Sequence, residues 1–506
     1  MRAAGVFAWA FLTAAAASAE AFPGYFFLDR RDSKIPNSAT TVVIARRGTR
    51  TVVSMQMDYT APAETYDLDT VPLRPTYIVE QTGVEMIVPV PATFNPDAVK
   101  RLPSDIFERL DVSSAPRLVE SWQQDPCTYA DIASIAARDK EGGPSVLPDE
   151  GSTRPRAQET SRVQIDAQFA VRGASINVIE PSDLEPWLER REKHIPENVA
   201  TVLRSYKEAG WKFFVTRFYP SHVEIRRGRS VSSPIQFEYD AEEVRLPLRL
   251  GLSSSAGTQD LVVHVLAEDR YEATNFPNLT IPTNVEVDGA ARAHFGEFYA
   301  SLFDATLDKN PGAFVTEYAW DAESCDPCPG PLLSPEDLRW LGAPSGMVVH
   351  TRLHARYRKE ALGEDPVLRV APPIQGGRGG EGQAAVPAEV STFQGRYVLR
   401  HRWQGPVTCP SPDFDIWGGP PSADLTSVRP ATPSSEVVRG KVYLSAMVRD
   451  SVPAAGVVAK PRPDEGSAGK RFLLGFGLGA GAGLFGTIGV VLAVTQRRRV
   501  SRRISP

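Results

Sequence analysis

Apolar and polar residues alternate over short stretches along most of this chain, which is the pattern of half-buried β-strands. The clearest stretch is 163–171, where every second residue is apolar. Two β-branched stretches on either side of 46–50 predict a β-hairpin. The full set of predicted strands is 41–45, 51–59, 84–91, 163–171, 211–219, 222–227, 244–252, 261–267, 314–320, 347–357, 392–403 and 437–448.

Helical spacing of apolar residues is less frequent than alternation. The predicted helices are 95–102, 104–110, 115–122, 182–188, 196–210, 290–308 and 334–342. Two of them have start signals: the run from Ser182 to Glu185 resembles a capping box, and Ser334 precedes Pro335 and two acidic residues. Together these elements predict an α+β, β-rich fold with two or three mixed domains of antiparallel sheet and packed helices, plus one C-terminal transmembrane helix.

The transmembrane helix is predicted at 472–494, a run without charge or proline that is long enough to cross a bilayer. Gly475, Gly479 and Gly483 recur at every fourth residue, the spacing that lets two such helices approach closely. A homo-oligomer formed through this glycine face is one interpretation, and small residues that merely fill a weakly hydrophobic anchor are the other. The arginines that follow the helix favour a cytoplasmic tail at 495–506.

The first residues have the form of a secretory signal peptide. Residues 1–19 hold one charge, Arg2, followed by an alanine-rich apolar run and an Ala-Ser-Ala cleavage site at 17–19. Cleavage after Ala21 fits the pattern as well. Export at one end and a membrane helix at the other predict a single-pass protein of the cell inner membrane. Its N-terminal bulk is expected outside the cytoplasm, periplasmic or extracellular, and membrane lipid is its expected partner.

Changes in composition divide the exported part, which at about 450 residues is too long for a single core. The predicted segments are an N-terminal α+β unit (22–138), a linker (139–161), a central α+β unit (162–372), a Gly/Pro-rich loop (373–390), C-terminal strands (391–452) and a tether (453–471). The linker and the tether are rich in Gly, Pro and Ser. The glycines of the 373–390 loop lack the following helix and the Lys-Ser/Thr pair of a phosphate-binding loop.

Net charge restricts the partners of the exported part. The whole chain carries −5. Without Arg2 and the seven basic residues from Lys470 onward, the remainder carries −13. Binding to nucleic acid requires a basic surface for the phosphate backbone, and the exported part is strongly acidic. We therefore expect no nucleic-acid partner. The charge also gives no reason to expect the body to lie on anionic lipid.

Four cysteines carry the candidate chemistry: Cys127, Cys325, Cys328 and Cys409. An even number in an exported protein favours disulfides, and the sequence leaves their connectivity open. A bridge between Cys127 and Cys409 would close a very long loop and hold the first unit to the last. Cys325 and Cys328 form a C-x-x-C motif, so an envelope thiol–disulfide oxidoreductase is the first alternative function. Asp326 between the sulfurs, and the lack of a helix directly after Cys328, disfavour a reactive thiolate there.

His350 and His354 lie two strand repeats apart and can share one face of the strand at 347–357. A metal-dependent hydrolase built around them is the second alternative function. No carboxylate stands in a fixed register with them, as it would in H-E-x-x-H. The chain also has no G-x-S-x-G elbow and no nucleotide fingerprint after a strand. We therefore assign no catalytic residue, no metal ligand and no cofactor.

Five sequence runs are similar to a known family: PGYFFLD at 23–29, IVPVPA at 87–92, DLEPWL at 183–188, FPNLTIPTN at 276–284 and SCDPCPGPLLSPEDLRWLG at 324–342. Over about 22–342 the chain resembles the uncharacterised bacterial exported family catalogued as domain of unknown function 2330. The resemblance implies a signal peptide and a C-terminal membrane anchor, and it implies no activity. Members often carry cysteines near the mature N-terminus, where this chain has Tyr25 and Phe26. We therefore expect a membrane-anchored cell-envelope protein that serves as a structural or binding module.

Overall fold

The computed structural model describes residues 24–28, 37–59, 84–103, 105–127, 176–189, 195–218, 223–226, 229–232, 234–252, 258–326, 328, 332–358, 363–420, 428–430, 444–449 and 456–457. Within these ranges, no helix combines the length and the apolar character needed to cross a membrane. Several predicted segments lie outside the described residues: the signal peptide, the strand at 163–171, the linker, and the transmembrane helix with Gly475, Gly479 and Gly483. They stay predictions.

Strands dominate the described chain. In chain order they are β1 (Tyr25–Leu28), β2 (Asn37–Arg47), β3 (Arg50–Tyr59), β4 (Val84–Val90), β5 (Asn95–Arg101), β6 (Arg117–Gln123), β7 (Ile176–Ile179), β8 (Lys212–Phe218), β9 (Val223–Arg226), β10 (Arg229–Ser232), β11 (Ile235–Asp240), β12 (Val244–Arg245), β13 (Thr258–Ala267), β14 (Arg270–Ala273), β15 (Asn278–Thr280), β16 (Val285–Val287), β17 (Phe314–Asp321), β18 (Val349–Arg358), β19 (Val367–Ala371), β20 (Ile374–Gly376), β21 (Val386–Pro387), β22 (Thr392–Gln394), β23 (Arg396–His401), β24 (Trp417–Gly418), β25 (Val428–Pro430) and β26 (Gly456–Val457).

Helices are fewer. They are α1 (Asp105–Ser114), α2 (Leu184–Glu189), α3 (Glu197–Glu208), α4 (Arg249–Leu252), α5 (Gly289–Ala293), α6 (Phe295–Asp308) and α7 (Pro335–Leu341), with short 3₁₀ turns at Pro181–Asp183 and Leu444–Ala446.

The described strands form four sheets. The largest has fourteen strands, ordered β21-β20-β22-β17-β18-β13-β2-β3-β10-β9 along its main path, with β5, β11, β15 and β26 paired alongside. The smaller sheets have the orders β1-β4-β8-β7, β12-β19-β14 and β16-β23-β6-β24, the last with β25 also paired to β6. Most pairs are antiparallel, whereas β13 and β2, and β23 and β6, run parallel. The fold is therefore β-rich, with mixed and antiparallel sheets and few helices.

The long helix α6 lies against the central strands of the largest sheet. Its apolar residues follow helical spacing, and Phe295, Phe298 and Leu302 are buried on one side. They pack in one hydrophobic cluster with Val315 of β17 and Tyr397 of β23. Each such side chain contributes about 1.5–3 kcal/mol by leaving water. This packing fixes the face of α6 that is turned toward β17 and β18.

Strands from all three predicted units pair with one another. β2 of the N-terminal unit pairs with β13 of the central unit, and β6 of the N-terminal unit pairs with β23 of the C-terminal strands. The described residues accordingly fall in one compact unit within 1–459. The boundaries predicted from composition therefore do not divide the chain into separate sheets, because composition reports where loops lie and not which strands pair.

Elements with strong local signals were predicted correctly. The hairpin of β2 and β3 turns at 48–49, as expected. α7 begins with the capping box: Ser334 Oγ accepts from the Asp337 backbone N–H, and Asp337 Oδ2 accepts from the Ser334 backbone N–H. The helix ends at Gly342, whose φ of 79° is left-handed. A side chain at that position would also collide with Val52 of β3. Glycine therefore both ends the helix and lets β3 pack closely against it.

Two predicted helices are strands. Residues 95–101 form β5, which among the described strands pairs with β11 alone, so it is an edge strand that tolerates Pro96. Most of the helix predicted at 115–122 is strand β6, which begins at Arg117 and has partners on both sides. Local spacing of apolar residues suggested helices at both places. Hydrogen bonding to strands far away in the sequence outweighed the local tendency to form a helix.

Three other predictions were wrong in part. The strand predicted at 244–252 stops at Arg245, because Pro247 cannot donate to a ladder, and the chain then enters α4. The helix predicted from a capping box at Ser182 begins instead with a 3₁₀ turn at Pro181, and no side chain caps it. Of the strand predicted at 437–448, residues 444–446 form a 3₁₀ turn and 437–443 lie outside the described residues.

The sequence predicts a Gly/Pro-rich loop at 373–390, whereas the structure has two short strands in this segment. Ile374–Gly376 and Val386–Pro387 are strands of the largest sheet. Gly377 has a φ of 88°, and a Cβ there would come within 2.1 Å of the Gln394 carbonyl oxygen. Glycine is therefore required at this position for close backbone approach and not for flexibility.

Candidate functional site: a buried charge layer

β18 carries a histidine or an arginine at every second position. His350, Arg352, His354 and Arg356 therefore point to the same face of the sheet. Facing groups come from β13, β17, α1 and α6, and they form what we name the charge layer: Asp111, Asp260, Asp304, Glu317, Arg352, His354 and Arg356. The layer lies where α1 and α6 meet the largest sheet.

A β-bulge brings β17 into the layer. Thr316 lies opposite Leu353 and Tyr318 lies opposite Arg352, which leaves Glu317 as the extra residue between them. Bulges redirect side chains, and this one presents the Glu317 carboxylate to Arg352 and His354.

Glu317 is the centre of the layer. Its Oε2 accepts a 2.6 Å hydrogen bond from Arg352 Nε, while its Oε1 lies 2.6 Å from His354 Nδ1 and accepts from the Tyr299 hydroxyl. Burial alone raises the pKa of a carboxyl group, but the positive charges of His354 and Arg352 outweigh it and lower the pKa of Glu317 to about 2. Burial raises the pKa of Tyr299 well above its usual value, so its hydroxyl keeps the proton that it donates.

Asp260 is the second buried carboxylate. Arg356 binds it with two parallel hydrogen bonds, of which the one from Nη2 to Oδ2 is 2.7 Å long, and the same guanidinium also donates to Asp304. His354 Nε2 lies 3.6 Å from Asp260 Oδ1, beyond hydrogen-bond distance, so their attraction is electrostatic. Burial raises the pKa of Asp260, but the interactions with His354 and Arg356 lower it to about 2.

His354 lies between the two carboxylates. Burial lowers its pKa, whereas the negative charges of Glu317 and Asp260 raise it, and the net shift is upward. Its ring stacks on Phe303 with the centroids 3.9 Å apart, which holds the imidazole between the two acids. The surroundings of His354 therefore favour the imidazolium form.

A second pair of histidines lies beside the layer in a neutral form. His264 Nδ1 and His350 Nε2 are 2.9 Å apart, so one ring donates and the other accepts. Burial, aided by the charge of Arg352, lowers the pKa of His264 well below its usual value and that of His350 to about 3. Both rings therefore stay uncharged near neutral pH.

The centre of the charge layer is buried, whereas Asp111 and Asp304 at its edge are 17% and 26% exposed. The side chain of Glu317 is 0% exposed and that of Arg352 is 3% exposed. Arg352 also donates to Asp111, so a single guanidinium joins β17 and β18 to α1. Arg356 joins β13 and β18 to α6. The geometry thus fits a role in holding two helices on three strands.

The two histidines of the metal-dependent alternative, His350 and His354, share one face of β18 but do not converge. His350 contacts His264, and His354 contacts Glu317. Among the described residues, no three His, Cys, Asp or Glu side chains stand in an arrangement that could hold a metal ion. The sequence reasoning missed Asp260, Glu317 and the two arginines. The alternation of His and Arg along β18 was the signal that could have revealed a polar face.

The four cysteines form two bridges in the structure. Cys127 pairs with Cys409, with a Cα–Cα distance of 5.4 Å, and Cys325 pairs with Cys328 at 5.1 Å. The first bridge joins the end of β6 to the loop between β23 and β24. The Cys409 backbone N–H also donates to Cys127 Sγ. The second bridge lies in a surface loop, where Cys328 is exposed.

Comparison with known proteins decides the family. A model of an uncharacterised protein family conserved in bacteria, DUF2330, matches residues 17–369. The chain belongs to DUF2330. The match confirms the resemblance inferred from the five sequence runs. No curated protein and no solved structure matches the chain.

The DUF2330 match includes the charge layer and excludes the last sheet strands. The layer, the His264–His350 pair and the Cys325–Cys328 bridge lie within 17–369. Cys409, β23 and β24 lie beyond it. The long bridge therefore connects the part that matches DUF2330 to a part of the chain that follows it.

We expect the free energy of unfolding of this DUF2330 protein to be highest near pH 6.5. The pKa of His354 is raised in the folded chain. Its stabilising contribution to the free energy of unfolding is therefore complete below about pH 6.5 and is lost as the pH rises through the pKa of the folded chain. His264 and His350 have lowered folded pKa values. Below about pH 6.5 these two histidines therefore bind protons in the unfolded chain but not yet in the folded chain. This difference lowers the free energy of unfolding by about 1.4 kcal/mol per pH unit for each histidine. Asp260 and Glu317 add to this loss below about pH 4.

Urea unfolding of the full-length chain across the pH range measures this profile. His354→Gln should flatten the alkaline limb, and His350→Gln should weaken the acid limb. His294→Gln serves as the control, because His294 is exposed and lies outside the layer. An unfolding free energy that stays constant above pH 6.5 would contradict the charged state assigned to His354.

Proposed function

We propose that the chain is a single-pass cell-envelope protein whose exported body serves as a structural or binding module. The pairing of all four cysteines is the observation that carries the proposal. Disulfides persist in oxidising compartments outside the cytoplasm, so the pairing supports the export that residues 1–19 predict. The helix at 472–494 would hold the body at the outer face of the inner membrane, with 495–506 in the cytoplasm.

The charge layer favours a structural or binding module as the function of the exported body, in preference to an enzyme. Its strongest pKa shifts belong to groups that bind one another in the interior and not to groups that line a cleft. Perturbed pKa values mark active sites only when a substrate can reach the group. Self-association of two chains through Gly475, Gly479 and Gly483 is part of the same proposal.

Protease protection and thiol labelling in intact spheroplasts test the proposal together. Protease added outside should digest the body and leave an epitope at the C-terminal tail intact. A membrane-impermeant maleimide should label the cysteines only after reduction. A chain found in the soluble cytosolic fraction, or a tail digested from outside, would contradict the placement.

An envelope thiol–disulfide oxidoreductase is the second candidate, because the Cys325–Cys328 bridge is at the surface. Exchange would begin with attack of a dithiol partner's thiolate on one of the two sulfurs, which forms a mixed disulfide and releases the other sulfur as a thiolate. Asp326 lies between the sulfurs, 3.5 Å from Arg378 Nε, and its negative charge disfavours that thiolate. A redox titration with glutathione separates the candidates: a bridge that resists reduction supports the module, and a labile bridge supports the enzyme.

A metal-dependent hydrolase around His350 and His354 is the weaker alternative. It would require both histidines to leave their present partners. Metal analysis of the purified protein tests it, since a stoichiometric ion bound through these histidines would favour the hydrolase.

A further inference from the structure

Three arginines gather on the outer face of the sheet formed by β16, β23, β6 and β24. Arg400 Nη1 donates a 3.0 Å hydrogen bond to Glu286 Oε2. Arg402 and Arg449 approach the other oxygen of the same carboxylate only to 3.9 and 3.6 Å. Trp417 lies beneath two of them, with the guanidinium carbons of Arg400 and Arg402 at 5.1 and 5.2 Å from its ring centroid. We name these four residues, Arg400, Arg402, Arg449 and Trp417, the arginine patch.

The arginines of the patch are held in place by nearby carboxylates, while N–H groups of Arg402 and Arg449 stay available for a ligand. Glu286 is only 12% exposed and accepts from Arg400, and together with Asp288 it offsets two of the three positive charges, so the patch keeps a net charge of +1. The side chain of Arg402 is 59% exposed, and the contacts of Arg449 with Glu286 and Asp288 are 3.6 and 3.5 Å long. Within the described residues, neither Arg402 nor Arg449 makes a side-chain hydrogen bond. Exposed guanidinium groups of this kind bind phosphate and carboxylate oxygens.

The patch lies close in the chain to the predicted membrane helix, and this position indicates which anion it binds. The described chain ends at β26, where Gly456 pairs with Thr280 of β15, and Thr280 precedes Glu286 by only six residues. Six residues span at most about 20 Å, so the patch lies close to the point where the chain leaves the sheet. Residues 458–471 then separate β26 from the predicted membrane helix. If these residues form the tether that the sequence predicts, a random coil of their length has a mean end-to-end distance of about 20 Å and a limit of about 50 Å.

We propose that the arginine patch docks the exported body on anionic phospholipid headgroups of the membrane that anchors the chain, an inference that rests on the proposed single-pass anchor. The short tether keeps the patch within reach of the headgroups, whose phosphates match the free guanidinium donors. Trp417 suits the same place, because tryptophan concentrates at membrane–water interfaces. Because the exported part as a whole is acidic, docking through this local basic patch would also set the orientation of the body on the bilayer.

Hydrogen exchange of the full-length chain in lipid nanodiscs tests the docking. The chain is placed in discs of phosphatidylcholine alone and in discs that also contain phosphatidylglycerol. We expect slower exchange at 402–405, 417–418 and 444–449 in the anionic discs, and loss of the difference at high salt. Arg402→Gln combined with Arg449→Gln should lower the protection about fivefold for each arginine removed.

Matched variants show whether the patch itself is responsible. Arg402→Lys with Arg449→Lys keeps the charges and should keep most of the protection. Arg378→Gln is the control, because Arg378 is a half-exposed arginine over another tryptophan, Trp320, at 6.0 Å and lies outside the patch. Unchanged urea midpoints show that the variants fold.

The readouts distinguish the two proposals. A chain that fails to co-elute with the discs contradicts the membrane anchor. A chain that inserts but exchanges equally in both lipids contradicts the docking alone. Protection of the patch in neutral discs by added polygalacturonate, without any effect of phosphatidylglycerol, would also overturn lipid docking and assign the patch to a soluble polyanion.

Discussion

Replacing Glu317 with alanine is expected to lower the free energy of unfolding by about 3–5 kcal/mol. The substitution leaves the Arg352 guanidinium and the His354 imidazolium in the interior without the carboxylate that binds both. It also removes the acceptor of the buried Tyr299 hydroxyl. A buried charge without its partner costs far more than an exposed ion pair contributes, because water cannot replace the lost group. The urea midpoint of the full-length chain measures the effect.

Two variants show that the loss comes from the buried charge. Glu317→Gln keeps the shape and one acceptor oxygen but removes the charge, so it should still lose most of the stability. Glu197→Gln removes a carboxylate from an exposed pair with Arg204 and should change stability by less than about 1 kcal/mol. If Glu317→Ala and Glu197→Gln cost the same, the charge layer does not hold the helices on the sheet.

Local signals in the sequence determined which elements could be predicted. α7 was recovered because its cap, its N-terminal proline and its terminal glycine all lie within 334–342. β5 and β6 were mistaken for helices because their partners lie far away: β11 is more than a hundred residues beyond β5, and β23 is nearly three hundred residues beyond β6. A strand whose partners are distant carries little information about its pairing in its own residues.

The charge layer could be predicted only in part for a similar reason. Alternation placed His350 and His354 on one face of a strand, and the structure agrees. Their partners, Asp260 and Glu317, come from two other strands, and Glu317 faces them only because a bulge shifts the register of β17. The bulge has no signature in the sequence. Reasoning from the sequence therefore placed the two histidines of this face together but identified neither the arginines beside them nor the carboxylates that bind them.

Removing the bridge between Cys127 and Cys409 should have the other largest effect. These cysteines are 282 residues apart, whereas Cys325 and Cys328 are three apart. If a disulfide acts by restricting the unfolded chain, the long bridge contributes about 5 kcal/mol and the short one about 2 kcal/mol. The double substitution Cys127→Ser with Cys409→Ser should accordingly lower the urea midpoint much more than Cys325→Ser with Cys328→Ser. Equal midpoints would contradict this account of the long bridge.

The location of the long bridge adds a second, local effect to the same prediction. Beside Cys127, the Gln124 backbone N–H donates to the Ile416 carbonyl oxygen, and the Asp413 backbone N–H donates to the Pro126 carbonyl oxygen, both at 3.0 Å. These bonds tie the 402–416 loop to the end of β6, and the bridge keeps their partners together. Without it, amide exchange should accelerate most in 409–418 through local opening, whereas β13 and β18 should accelerate only as far as the lower global free energy of unfolding allows. Equal acceleration in 409–418 and in β13 and β18 would show that the bridge acts only through the unfolded chain and has no local effect on this loop.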